Sequence, residues 1–175
     1  MAVSPDDQIV VTGSSDTTVR LWSVKTGENI KTLEGHTSEV TSVAFSLDGE
    51  YIVSGSSYEY WSSSSSRNTV RLWRTKTGKH MHAFNGHTAG ITSVAFSPDG
   101  NYIISGSHDN TVRLWSTSIR KLLRIFSGHK NSVLSVAFSP DGTYVAGSRD
   151  KRVQLWKTDT GENVHTFYGH TDLVN

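Results

Sequence analysis

The string Ser-Val-Ala-Phe-Ser-Pro-Asp-Gly runs from Ser93 to Gly100 and again from Ser135 to Gly142, and a near copy with Leu47 in place of proline runs from Ser42 to Gly49. A longer frame recurs around the copies, in full after Ser42 and with a few replacements after Ser93 and Ser135: Gly-His, the string itself, Ser-Gly-Ser, Val-Arg-Leu-Trp, Thr-Gly, and Gly-His again. Recurrence at roughly 20 to 50 residues constrains the architecture before any single residue does. Each unit is one small supersecondary piece that must bury its apolar side against a neighbour.

The frame tryptophans are Trp22, Trp73, Trp115 and Trp156, separated by 51, 42 and 41 residues. The frame histidines His36, His87, His129 and His170 each follow a tryptophan by 14 residues. The second half of the unit is therefore fixed in length, and variation lies between His and Trp. The long unit carries a nine-residue insertion between Gly55 and Trp73. The short unit has lost one residue, which this alignment places where Thr143–Gly147 replaces Asn101–Gly106.

Each unit reads as four short strands. Val94–Ser97 is stopped by Pro98-Asp99-Gly100, where proline presets the turn and glycine accepts positive φ. Tyr102–Ser105 follows and ends near His108-Asp109-Asn110. Thr111–Trp115 alternates polar and apolar residues, as a strand with two unlike faces does. A fourth strand, His80–Phe84 in the second unit, leads into the next Gly-His. No stretch holds a 3.6-residue apolar period, so the chain is expected to be all-β.

The Gly-His, the Ser-x-Asp before a Val-Arg-Leu-Trp strand and a unit near 42 residues together resemble the WD-repeat β-propeller family. The resemblance covers essentially the whole chain. One departure is plain: Ser23, Arg74, Ser116 and Lys157 stand where the family has Asp after Trp. The resemblance implies a single domain over residues 1–175 made of four four-stranded blades, with units near 1–34, 35–85, 86–127 and 128–168. Residues 169–175 would begin a further first strand.

The resemblance also implies a buried Asp, His, Ser/Thr and Trp network in each blade. The third unit is complete, with His87, Ser105, Asp109 and Trp115. Such a set satisfies itself away from water, because Asp accepts from one imidazole nitrogen, Ser donates to the other, and the Ser oxygen accepts the indole N–H. The fourth unit offers His129, Asp150 and Trp156, with Ala146 read at the hydroxyl position. The second offers His36, Ser54 and Trp73, with Arg67 where Asp belongs. The first offers Thr12, Asp16 and Trp22, its own histidine falling upstream of Met1. Ser, His and Asp invite a hydrolase reading. A serine held between strands by His and Trp has no exposed hydroxyl to attack with, so no catalytic residue is expected. Asp159-Thr160-Gly161 aligns with Lys25-Thr26-Gly27 and Lys76-Thr77-Gly78 and is a turn.

Seventeen basic and sixteen acidic residues leave a formal charge of +1, which makes no broad electrostatic case for nucleic acid or an anionic membrane. With no cysteine, thiolate metal sites and disulfides are excluded. No apolar run approaches a membrane span and no signal peptide precedes the first repeat, so an intracellular, cytoplasmic location is expected. No cofactor is expected. His80 and His82 share one face of a strand, but Lys31, Arg124 and His165 stand at the positions equivalent to His82, so a solvated outer strand is the expectation rather than a metal site.

The insertion from Ser57 to Arg67 is the segment the repeat leaves unexplained. Tyr58, Tyr60 and Trp61 in it are candidate anchors for a partner, and its serine run reads as a spacer. Residues beside the turn Asp (Ser15, His108, Arg149) and after Gly-His (Glu39, Lys130) are expected to rim the same face. The expected function is a non-catalytic scaffold binding proteins or peptides on a propeller face. A lectin-like carbohydrate binder and, third, a hydrolase using the central channel are the alternatives. Met1–Asp6 aligns with Val94–Asp99 and Val174-Asn175 with Val40-Thr41. Three arrangements would pair these half strands: four blades closing alone, two chains closing head to tail as an eight-bladed ring, or a place within a longer propeller; of these the homodimer is the expectation.

Overall fold

A computed structural model describes residues 1–57, 68–149, 151–172 and 174. Sixteen strands form four four-stranded antiparallel sheets, each a meander of consecutive strands. The first blade is β1 (Ala2–Val3), β2 (Ile9–Gly13), β3 (Val19–Ser23) and β4 (Asn29–Leu33). The second is β5 (Glu39–Phe45), β6 (Tyr51–Ser57), β7 (Val70–Arg74) and β8 (His80–Phe84). The third is β9 (Ile91–Phe96), β10 (Tyr102–Ser107), β11 (Val112–Ser116) and β12 (Leu122–Phe126), and the fourth is β13 (Ser135–Phe138), β14 (Tyr144–Arg149), β15 (Arg152–Lys157) and β16 (Asn163–Tyr168). There is no helix among the described residues. The all-β fold of WD-type blades is as the repeat implies.

The Ser-Pro-Asp-Gly turn explains itself atom by atom. Ser97 Oγ donates to Asp99 Oδ1 at 2.5 Å and accepts the Tyr102 N–H at 2.9 Å, while Asp99 Oδ1 accepts the Asn101 N–H at 3.0 Å. Gly100 closes the turn at φ +71°, the left-handed region that glycine enters without a Cβ penalty. The same bonds recur at Ser46 with Asp48 and at Ser139 with Asp141. At Ser4 with Asp6 the glycine place is taken by Asp7, which adopts φ +58°.

Three apolar cores lie between blades rather than within them. Val11, Val19, Leu21 and Leu33 of the first blade meet Val40, Val43, Ile52 and Trp73 of the second. The pattern repeats with Val53, Val70, Leu72 and Phe84 against Ile91, Val94, Ile103 and Trp115. It repeats again with Ile104, Val112, Leu114 and Phe126 against Val133, Val136, Val145 and Trp156. Close approach requires a glycine in the second strand. A Cβ on Gly106 would sit 2.9 Å from both Val133 Cγ1 and Val136 Cγ1, and Gly13 and Gly55 face the next blade as tightly.

The first strands are stitched from blade to blade by hydrogen bonds. Thr41 Oγ1 donates to the Ile91 carbonyl and Thr92 Oγ1 to the Val133 carbonyl, each at 2.6 Å. Ser42 Oγ accepts the Val94 N–H at 3.1 Å, and Ser93 Oγ accepts the Val136 N–H at 3.3 Å. Burial on the sheet faces thus combines with fixed register at the first strands, and the four blades fan out from that seam.

The register of the fourth blade corrects the alignment. Val136 pairs with Gly147 as Val94 pairs with Ser105, so Gly147 and not Ala146 holds the hydroxyl position. Ala146 pairs with Ala137, the place of Ile104 opposite Ala95. The missing residue is lost at the next turn, where Ser148 pairs with Val153 and Arg149 with Arg152, a tighter reversal than that between Gly106 and Val112.

Candidate interaction surface and the buried polar tetrads

The third blade assembles its polar set as the residues allow. His87 Nδ1 donates to Asp109 Oδ2 at 2.7 Å, Ser105 Oγ donates to His87 Nε2 at 2.7 Å, and Trp115 Nε1 donates to Ser105 Oγ at 2.8 Å. The Asp109 carboxylate also accepts the Thr88 N–H at 3.1 Å, the Thr111 N–H at 3.0 Å and the Thr111 hydroxyl at 2.6 Å. Burial lowers the His87 pKa and outweighs the upward pull of Asp109. Burial alone would raise Asp109, but the His87 N–H and the threonine donors hold it well below the usual carboxylate range. The pair is a neutral imidazole donating to a carboxylate.

Ser105 has no exposed surface, and its hydroxyl is committed to His87 and Trp115. Its environment lacks what a nucleophile needs, namely an open approach for a carbonyl carbon.

The second blade solves the missing carboxylate differently. His36 Nε2 and Ser54 Oγ are 2.6 Å apart, and Trp73 Nε1 donates to Ser54 at 2.8 Å. His36 Nδ1 faces the Thr69 hydroxyl at 3.3 Å. Thr69 was legible in principle, since Thr69, Thr111 and Thr18 each precede the frame tryptophan by four residues. Burial brings the His36 pKa down to about 3, with the Arg71 guanidinium acting in the same direction.

In the first blade Trp22 Nε1 donates to Thr12 Oγ1 at 2.9 Å, and Asp16 accepts from Thr18 and from Arg20. In the fourth blade a Cβ on Gly147 would lie 3.3 Å from His129 Nε2 and 3.2 Å from Trp156 Cζ3. Gly147 therefore stands between His129 and Trp156 without a hydroxyl to link them. Asp150 and Arg67 lie outside the described residues.

The Gly-His glycine has its own reason. Gly35 and Gly86 adopt φ of +144° and +153°, and a Cβ there would meet Arg71 Nη1 at 2.8 Å and Arg113 Nη1 at 2.5 Å. The arginine of Val-Arg-Leu-Trp lies over this glycine and, in the third blade, reaches Asp109 at 3.8 Å. Gln154 takes the arginine place over Gly128.

Above these sets, at the loop ends of the first strands, lies an open groove of about 540 Å³. Glu39 and His108, both singled out from the sequence, line it together with Ile91 and Leu134. Ser15 Oγ donates to Glu39 Oε2 at 3.3 Å, joining the first blade to the second at one rim. Lys130 is exposed after its Gly-His, and Arg149 ends β14. Tyr58, Tyr60 and Trp61 lie outside the described residues. The groove brings Glu39 and His108 together, whereas Lys130 is not among its walls. Thr41 and Thr92 also line it and went unnoticed in the sequence, because their hydroxyls acquire meaning only from the neighbouring blade's carbonyls.

His80 packs edge-on against Trp73 with centroids 5.1 Å apart, and His82 against Phe84 at 4.7 Å. Burial lowers both, and Arg71 and Arg120 respectively add to the effect. Among the described residues no three metal-binding side chains converge. No helix among them is long and apolar enough to cross a membrane, which leaves β-barrels unaddressed.

Residues 1–174 match the family model described as the second β-propeller of echinoderm microtubule-associated protein. Among relatives, a pre-mRNA-processing factor 19 homolog of Arabidopsis thaliana is 33% identical over 102 residues, covering 58% of this chain and 17% of the relative. A WD repeat-containing protein of Synechocystis is 35% identical over 105 residues, covering 60% and 28%. A guanine nucleotide-binding protein subunit beta of Arabidopsis thaliana is 34% identical over 104 residues, covering 56% and 26%. The matched segment thus spans well under a third of these relatives.

Proposed function

The chain belongs to the WD-repeat β-propeller family, and from that premise we propose that it is a non-catalytic scaffold binding proteins or peptides on the loop face of its blades. The groove beside Glu39 and His108 carries the reading. Its walls come from three successive blades, with a carboxylate, an imidazole and the apolar side chain of Leu134 within one concavity. Such a mixture suits a peptide, which offers both backbone polar groups and apolar side chains. Ser15, Lys130 and Arg149 extend the rim, and Tyr58, Tyr60 and Trp61 supply aromatic anchors of the kind common at interfaces. One relative is by name a G-protein subunit, a component of an assembly. A second copy of this chain is also a partner in this proposal.

Affinity capture with the unaltered chain, Glu39→Ala/His108→Ala, Trp61→Ala and Arg149→Ala tests the reading. Partners recovered by the unaltered chain should bind the groove variant at least about tenfold more weakly. An unchanged partner set would sink the groove. Glycan binding lost with Trp61 would favour a lectin, and substrate turnover would favour an enzyme.

A further inference from the structure

The outer strands of the four blades are equivalent by register, and the third alone is apolar at two positions that are polar at one or both in the others. By register, Asn29, His80, Leu122 and Asn163 are equivalent, each pairing with its blade's frame tryptophan. Thr32, Ala83, Ile125 and Thr166 are equivalent three residues later. In the first blade Thr32 Oγ1 donates to Asn29 Oδ1 at 3.3 Å, and in the fourth Thr166 Oγ1 donates to Asn163 Oδ1 at 3.5 Å. These two positions touch, and in two blades they form a polar clasp. In the third blade both are replaced together, by Leu122 and Ile125. They are 38% and 45% exposed, with Leu123 at 44% and Ile119 at 59% beside them.

β12 is also the last strand of its sheet, so one row of its backbone N–H and C=O groups has no strand beside it among the described residues. Sheet proteins usually blunt such an edge with polar or charged side chains. The other three outer strands carry polar residues at one or both positions. The third carries apolar ones at both. An exposed apolar edge is a template for an added strand, whose main chain takes up the hydrogen bonds while alternate side chains cover the apolar ones.

Charge narrows the occupant. Arg120 and Lys121 lead into β12, and neither has a carboxylate partner among the described residues. Arg120 reaches the Met81 carbonyl at 3.3 Å, and Arg124 is turned toward the Asp159 and Thr160 carbonyls of the fourth blade. An antiparallel guest strand, continuing the sheet's own pattern, ends beside Arg120 and Lys121. A second copy of β12 would bring no carboxylate to that end.

We infer that the free edge of β12 is a second binding site, distinct from the loop-face groove, for an extended apolar peptide strand ending in acidic residues. The probes are two labelled peptides, Val-Thr-Val-Thr-Val-Glu-Glu and Val-Thr-Val-Thr-Val-Lys-Lys, followed by fluorescence anisotropy and by amide hydrogen exchange. The acidic peptide should bind saturably, at least about tenfold tighter than the lysine peptide, and slow exchange across residues 122–126. Leu122→Asn/Ile125→Thr copies the pair of the first and fourth blades and should weaken it about tenfold or more, with circular dichroism unchanged. Lys121→Glu should reverse the preference between the two peptides. No saturable binding, binding untouched by either variant, or protection elsewhere would overturn the site. Sedimentation showing self-association lost in the double variant would overturn the peptide occupant in favour of a second copy.

Discussion

His36 and His87 fill the same place in successive blades, yet one donates to a hydroxyl-lined pocket and the other to a carboxylate. Both are pushed toward the neutral form by burial, His36 to about 3 from an ordinary 6.5. An unfolded chain takes up a proton at these residues as pH falls through about 6.5, while folded His36 resists until about 3. Their contribution is therefore complete above about 6.5 and drains away below it. His36 alone removes about 2 kcal/mol between pH 6.5 and 5, and His87 acts in the same direction. The melting temperature should fall by at least about 5 °C from pH 7 to pH 5, and a flat profile over that range would contradict the buried neutral imidazoles. Gly147 offers the complementary test. Gly147→Ser restores the hydroxyl between His129 and Trp156, at the place Ser54 and Ser105 hold in the second and third blades, with Val112, 3.1 Å from the added Cβ, giving way by a few tenths of an ångström. Hydrogen bonding and a stiffer unfolded chain should together add about 1 kcal/mol. A lower melting temperature would show that the fourth blade cannot accept the set.

At the scale of the strand, the turn and sheet pattern was legible because its causes are local. Proline before Asp-Gly, alternation in Val-Arg-Leu-Trp and a constant Trp-to-His step all act within a few residues. Four sheets of four strands followed directly. Position 146 misled for the same reason: counting residues places a deletion where the letters differ, whereas the ladder places it at the turn that can shorten without breaking pairs. The groove was half legible. Glu39 and His108 stand out by their place in the frame, but that they share one concavity depends on how blades stack. The glycines of the second strand are likewise explained only across blades. Gly106→Ala drives a methyl into Val133 and Val136 at 2.9 Å, which should cost roughly 1–3 kcal/mol in chemical denaturation. A neutral result would mean that the third and fourth blades are not in contact as described.

Across the described residues the blades form three copies of one interface, and the outer faces of the first and fourth blades are uncovered. Leu33, Phe84 and Phe126 are 3%, 2% and 1% exposed at a place where Phe167 is 52% exposed. Val3 on the far face of the first blade is 55% exposed, where Phe45, Phe96 and Phe138 pack against the blade before them. The open face of the fourth blade and the open face of the first are thus complementary by construction, and a second copy can meet both at once. We propose that two chains joined this way would make an eight-bladed closed assembly with two-fold symmetry, about 45° per blade. Blade stacking through this repeated interface is the claim on which the scaffold rests, since the loop-face groove exists only between stacked blades. Light scattering on the purified chain tests the proposed use of that interface between two copies most directly. The predicted mass is twice the 19.2 kDa of one chain, and a monodisperse species at 19.2 kDa would contradict it.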